Sequence, residues 1–264
     1  MLRFVCIAAA LFMVIATASP RPLDQVEHIV IFMQENRAFD HYFGMLQGIR
    51  GFNDRTATPT RFGKDTFTQP IWPHNDTAYM LPFHVQTMTS AAMCMDAPFM
   101  EFFTNLGIVD GGRYDYWNVV REAGMGMSYF NRSDLPYYYS LYDNFLVGDH
   151  YFQSTFTETN PNRMHLFTGS NGLSVGSLPV LYNLEPTPGF EWQTMAETLE
   201  ASNISWRVYQ QHDNFDDNAF AWFKTFQEAK PGSVWYDNGM YRAENIVEEL
   251  KRDMACMLLL RCGL

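Results

Sequence analysis

Residues 29–37 read Ile29-Val30-Ile31-Phe32-Met33-Gln34-Glu35-Asn36-Arg37: five apolar side chains run straight into two amides, a carboxylate and a guanidinium. From Val26 to Met33 the run is rich in branched residues. It predicts a strand covered on both faces, as in a parallel sheet. In open α/β sheets the reactive groups collect beyond the carboxyl ends of the strands. Glu35 and Asn36 therefore fall where a ligand would bind, although strands also commonly end in polar residues for no further reason.

Downstream, the pattern alternates. A short helical turn is expected at Phe39 to Phe43, closed by Gly44, followed by a long irregular excursion over residues 45–80, rich in Gly, Pro, Asn, Asp and Thr. Helices are expected from Met88 to Phe103, from Tyr114 to Glu122, and over Leu135 to Tyr142, where Pro136 takes a first helical position. Phe145-Leu146-Val147 reads as a short buried strand. Thr157 to Gly169 reads as a helix opened by Thr or Asn before Pro161 and stopped by Gly169. A helix over Thr194 to Ser202, a strand at Trp206 to Tyr209 and a helix from Phe215 to Glu228, capped by Asp213 or Asn214, complete the series. Strands alternating with helices predict an α/β sheet with helices on both faces.

Composition narrows the function. With 47% hydrophobic and 18% charged residues in 264, the chain is globular. Its formal charge of −11 argues against nucleic acid as partner, because phosphate backbones select basic surfaces. An anionic small-molecule ester stays open, its charge met locally by a metal. Residues 1–18 read as a secretory signal peptide, with Arg3 as the positive start, an apolar run from Val5 to Ile15 too short to span a bilayer, and Ala16-Thr17-Ala18 as cleavage site. The expectation is a secreted protein without a transmembrane anchor. Sequons at Asn75, Asn131 and Asn203 suit such a chain. Cys94, Cys256 and Cys262 form neither a disulfide framework nor a zinc spacing.

Thr159 stands at the expected helix N-terminus, where backbone N–H groups and the helix dipole favour an anion. A hydroxyl beside a divalent cation loses its proton more easily and can attack phosphorus. Glu35 and the Asn36 amide oxygen are hard oxygen ligands for such a cation. The plainer reading makes Thr159 an N-cap and nothing more.

Several ordered stretches settle the comparison. MQENRAFDHYFG (33–44), Gly48 to Asp54, Met127 to Phe130 with Asp134-Leu135-Pro136, and Thr157 to Arg163 resemble the phosphoesterase family of secreted phospholipases C and related acid phosphatases. The similarity runs from Val26 to about Ala255. It implies an alkaline-phosphatase-like, mostly parallel sheet in a domain spanning residues 19–255. It also implies Glu35 and Asn36 as the first metal-ligand pair, with Thr159 as nucleophile and a further contact to the metal. Asn162 and Arg163 follow in the same motif, as residues positioning the helix end and facing substrate phosphate. His84 resembles a family segment that could serve as an acid, the alternative being a loop histidine bonded to backbone. The implied reaction is metal-assisted hydrolysis of a phosphoester, with phospholipid head-group diesters as substrate class and transient membrane-surface contact. A phosphomonoesterase, or a remnant without activity, is the alternative. The resemblance also implies further ligands, an acidic pair and histidines, on later strands. After Ala255 the chain instead switches to an apolar tail, residues 256–264, which reads as an aberrant, truncated end.

Overall fold

In the computed structural model, which describes residues 26–60, 63–71, 77–89, 94, 99–120, 122–173, 176–210 and 217–261, helices form largely where local signals put them. The expected signal peptide, the Asn75 sequon, the caps Asp213 and Asn214 and Cys262 lie outside the described residues. Two units divide the chain, Met1–Arg37 and Ala38–Leu264.

In the first unit Val26 to Met33 forms no strand, and Ile29 and Phe32 are 83% and 81% exposed. This corrects the opening expectation. A strand needs a neighbour for its N–H and C=O groups, and among the described residues none pairs with this run.

The second unit is a mixed fold of helices and small sheets. Helix α1 (Phe39–Phe43) ends at Gly44 as expected. The excursion after it contains β1 (Gln69–Pro70) and β2 (Tyr79–Met80), paired antiparallel. Strands β3 (Phe83–His84) and β4 (Ser128–Tyr129) pair in parallel, Phe83 opposite Ser128 and His84 opposite Tyr129. Helix α2 (Phe102–Val109) starts late compared with the expected Met88 start. Pro98 lies inside the expected helix and removes an amide it would need. Helix α3 (Trp117–Val120) is also shorter than expected. Buried Gln69 reaches into its start, donating to the Tyr114 carbonyl and accepting from Trp117 N–H.

Helix α4 (Pro136–Asn144) begins at Pro136, as its sequence requires. Phe145-Leu146-Val147 after it is not a buried strand: Phe145 is 72% and Leu146 99% exposed, with no partner strand among the described residues. Helix α5 (Thr159–Thr168) stops at Gly169, whose φ of 74° is the left-handed conformation that glycine adopts without penalty. Helix α6 (Met195–Ala201) carries a reciprocal capping box between Thr194 and Glu197. Trp206 to Tyr209 is likewise no strand; Val208 N–H bonds the Asn238 carbonyl instead.

The helix expected from Phe215 to Glu228 is split into a 3₁₀ turn, Ala219–Trp222, capped by Asn218, and α7 (Lys224–Gln227). Phe223 between them is extended, because the backbone of Phe190 bonds both Trp222 and Lys224. Tertiary pairing overrides local propensity there. Helices α8 (Val234–Gly239) and α9 (Ile246–Arg261) follow, with helical backbone running into the apolar tail. No described helix is long and apolar enough to cross a membrane.

Two aromatic cores hold this unit. Met164 on α5 packs with Ala219, Phe220, Trp222, Phe223 and Phe226. Phe43, Phe130, Leu135 and Tyr139 form the second cluster, around α1 and α4.

Candidate functional site

Glu158 takes the N-cap position of α5 in extended conformation and makes no side-chain cap bond. Thr159 is therefore the first helical residue, not the cap, and the plainer reading of it fails. It is half-exposed, and its hydroxyl has no hydrogen-bond partner among the described residues. Pro161 two residues on is tolerated, since the first-turn amides have no intrahelical acceptor.

The approach to Thr159 is fastened from both sides. Asn162 turns back from the helix: its amide oxygen accepts from Thr155 N–H at 3.0 Å. Its NH₂ donates to the carbonyls of Thr155, Thr157 and Glu158 at 3.1, 3.1 and 3.0 Å. Against the other side lies the segment 181–184. Thr157 donates its hydroxyl proton to the Leu181 carbonyl. Asn183 N–H bonds the Glu158 carboxylate at 2.9 Å, and Asn183 Oδ1 accepts from Asn160 N–H at 2.9 Å. Net bonds of this kind are worth about 1 kcal/mol each, more where one partner is charged, so this loop is far better fixed than its irregular sequence implies.

Arg163 leaves Thr159 for a different partner. Its guanidinium, 12% exposed, bonds the Asp217 carbonyl and lies 3.3 Å from the Asp217 carboxylate. It ties α5 to the turn before the core aromatics, and Met164 beside it is fully buried.

His84 sits elsewhere in the unit, at the end of β3. Its Nε2 is 2.7 Å from Asp134 Oδ2 and 3.0 Å from the Asn131 amide nitrogen. The expected backbone bond is thus replaced by a carboxylate. Asp134 is 2% exposed and also accepts from Asn131 N–H, Thr87 N–H and the Thr87 hydroxyl. Burial alone would push its carboxyl up, but these bonds outweigh it and hold Asp134 far below the usual carboxylate range. Among the described residues His84 shares no hydrogen bond with the 155–163 segment. His41 bonds the Ser128 carbonyl and lies edge-on against Phe130.

Glu35 and Asn36 close the first unit, whereas Thr159, Asn162, Arg163 and His84 belong to the second. Asn36 is left-handed, φ 63°, a conformation asparagine tolerates better than most residues. The residues that sequence reasoning missed are Glu158, Asn183 and Asp134. Glu158 and Asp134 stood in quoted motifs, and nothing local marks Asn183.

The phosphoesterase family matches residues 26–258. The chain belongs to this family. Non-hemolytic phospholipase C of Burkholderia pseudomallei is 37% identical, over 80% of this chain and 32% of that protein. Hemolytic phospholipase C of Pseudomonas aeruginosa is 33% identical, over 88% and 35% respectively. Non-specific phospholipase C1 of Arabidopsis thaliana is 27% identical, over 71% and 35%. The chain thus spans about a third of the length of these curated relatives.

For a phosphoesterase the implied cofactor is a divalent cation. Among the described residues no three His, Cys, Asp or Glu side chains gather into a cluster that could hold one. The donor set named from the sequence is of another kind: one carboxylate, one amide oxygen and one hydroxyl. All three are hard oxygen donors of the type such cations take, and the Thr159 hydroxyl is not spent on another partner.

Proposed function

We infer that this chain carries the nucleophile and first metal ligands of a secreted phosphoesterase that hydrolyses phosphodiester bonds of phospholipids, in the manner of a phospholipase C. The observation that carries the reading is Thr159: an uncommitted hydroxyl on the first residue of a helix, on a loop held rigid by Asn162. The phospholipase C names of the relatives support the substrate class. Glu35 and Asn36 would be ligands of the divalent cation, which when bound lowers the proton affinity of a hydroxyl beside it and offsets charge on phosphorus. The same reading takes the family fold to be an alkaline-phosphatase-like, mostly parallel sheet with helices on both faces, and the parallel β3–β4 pair is consistent with it.

In the reaction so read, the Thr159 oxygen gives up its proton and bonds to phosphorus. The ester oxygen of the diacylglycerol leaves with the electron pair of the broken P–O bond and takes up a proton. Water then splits the phosphothreonine bond, restoring the hydroxyl and freeing the phosphorylated head group. Asn162 keeps the loop in one conformation through both displacements. Arg163 acts by anchoring the helix, its guanidinium being engaged with Asp217. The resemblance offers His84 as an acid, its ring held by Asp134, but no described bond links it to the Thr159 loop.

The exposed apolar runs Val26 to Met33 and Phe145 to Val147 favour a second reading, in which this chain by itself is a non-catalytic piece prone to association. One experiment separates the two. Hydrolysis of phosphatidylcholine vesicles and of an aryl phosphate is measured with added divalent cations for the wild type, Glu35→Ala and Thr159→Ala. The catalytic reading expects cation-dependent diester cleavage, lowered by at least about 100-fold in both variants. Equal rates in all three proteins refute it, and preference for the aryl phosphate would make the enzyme a monoesterase.

A further inference from the structure

The 181–184 segment does something for Thr159 that the local sequence does not announce. The bond from Asn160 N–H to Asn183 Oδ1 lies on the peptide joining Thr159 to Asn160. Four bonds join that nitrogen to the Thr159 hydroxyl oxygen, a reach of at most about 5 Å, so Asn183 Oδ1 lies within about 8 Å of the attacking oxygen. Asn183 is at the surface, whereas Asn160 is 6% exposed. Its own backbone is held by the Glu158 carboxylate, so the side chain is delivered from a fixed point.

The first-turn amides of α5 can be accounted for one by one. Pro161 has no N–H, and the Asn160 N–H is committed to Asn183, which leaves Glu158 and Thr159 to face an anion beside the hydroxyl. An asparagine in the Asn183 place satisfies the buried amide without adding charge. A carboxylate there would cap the helix better while repelling a phosphoryl group a few ångströms away.

We propose that Asn183 is a positioning residue for the Thr159 nucleophile: it fixes the Thr159–Asn160 peptide from outside the helix, and its neutrality keeps the adjoining space open to phosphate. This rests on the reading of Thr159 as nucleophile, and the test keeps the two apart. The full chain is prepared as wild type, Asn183→Ala, Asn183→Asp and Thr159→Ala. Three quantities are followed: exchange of the Asn160 amide, its chemical-shift response to inorganic phosphate, and kcat and KM on a phosphocholine diester.

In Asn183→Ala the Asn160 amide exchanges faster and kcat falls on the order of 10-fold. In Asn183→Asp that amide stays protected and the melting temperature is kept or raised. Its phosphate affinity and kcat/KM nevertheless fall on the order of 10- to 100-fold, the effect of one added charge at this range. A merely structural role would leave Asn183→Asp as active and as responsive to phosphate as the wild type, and that result overturns the proposal. A wild type whose Asn160 amide ignores phosphate overturns it equally. Undiminished turnover in Thr159→Ala refutes the nucleophile alone, since the exchange and phosphate measurements do not depend on turnover.

Discussion

Replacing Asp134 by alanine tests how much of the second unit depends on a single buried carboxylate. Asp134 joins the end of β3 to the turn before α4, accepting from Asn131 N–H at 2.9 Å, Thr87 N–H at 3.0 Å, the Thr87 hydroxyl at 2.9 Å and His84 at 2.7 Å. Truncation removes a side chain that is only 2% exposed and leaves two backbone amides and a hydroxyl of half-buried Asn131 and Thr87 without this acceptor. Each buried group so stranded costs about 1–3 kcal/mol. Partial relaxation and entry of water reduce the sum, so the expected loss is about 3–5 kcal/mol. For a unit of this size that lowers the melting temperature by roughly 10 °C.

The pH dependence gives the sharper test. The folded pKa of Asp134 is depressed, so its stabilisation is fully present above the unfolded value near 3.9 and is lost as pH falls through the lower folded value. Urea melts of wild type and Asp134→Ala, followed by near-ultraviolet circular dichroism, should therefore differ most at neutral pH, and the gap should narrow steadily as pH falls below about 4. Midpoints that coincide at pH 7, or a gap unchanged down to pH 2, would refute the assignment of the carboxylate as the hub.

Asp40 should behave in the opposite sense. Burial, and then the charge of Asp54, push its carboxyl up to about 6, and its buried Oδ1 finds no donor among the described residues. A raised acid stabilises the fold below its unfolded pKa, and that contribution is lost as pH rises through 6. Asp40→Asn should thus raise stability by about 1–3 kcal/mol at pH 7 and by nothing near pH 3.5, as urea midpoints across that range would register. Gly169→Ala meets no atom where its Cβ would lie, yet forces alanine to φ 74°. The expected cost is about 1 kcal/mol, relieved in part by Gly169→Asn, read from thermal melts.

The contrast between what the sequence showed and what it hid follows the range of the interactions. Gly44, Pro136, Gly169 and the Thr194–Glu197 box act within a turn or two of themselves, and the helices they bound are present. Val26 to Met33, Phe145 to Val147 and Trp206 to Tyr209 carry strand composition, but composition only proposes a strand; a neighbour has to complete it. The candidate site divides the same way. Asn162 works on residues four to seven positions before it and lay within a recognised motif. Asn183 bonds residues 23 and 25 positions away, through a segment with no pattern of its own.

That division also says which half of the proposed chemistry is the more secure. Thr159 draws its placement from bonds inside the second unit: Asn162 behind it, Asn183 beside it, Arg163 on Asp217 and Met164 in the aromatic core. None of these depends on a β-ladder. Glu35 and Asn36 end a run whose backbone has no strand partner among the described residues.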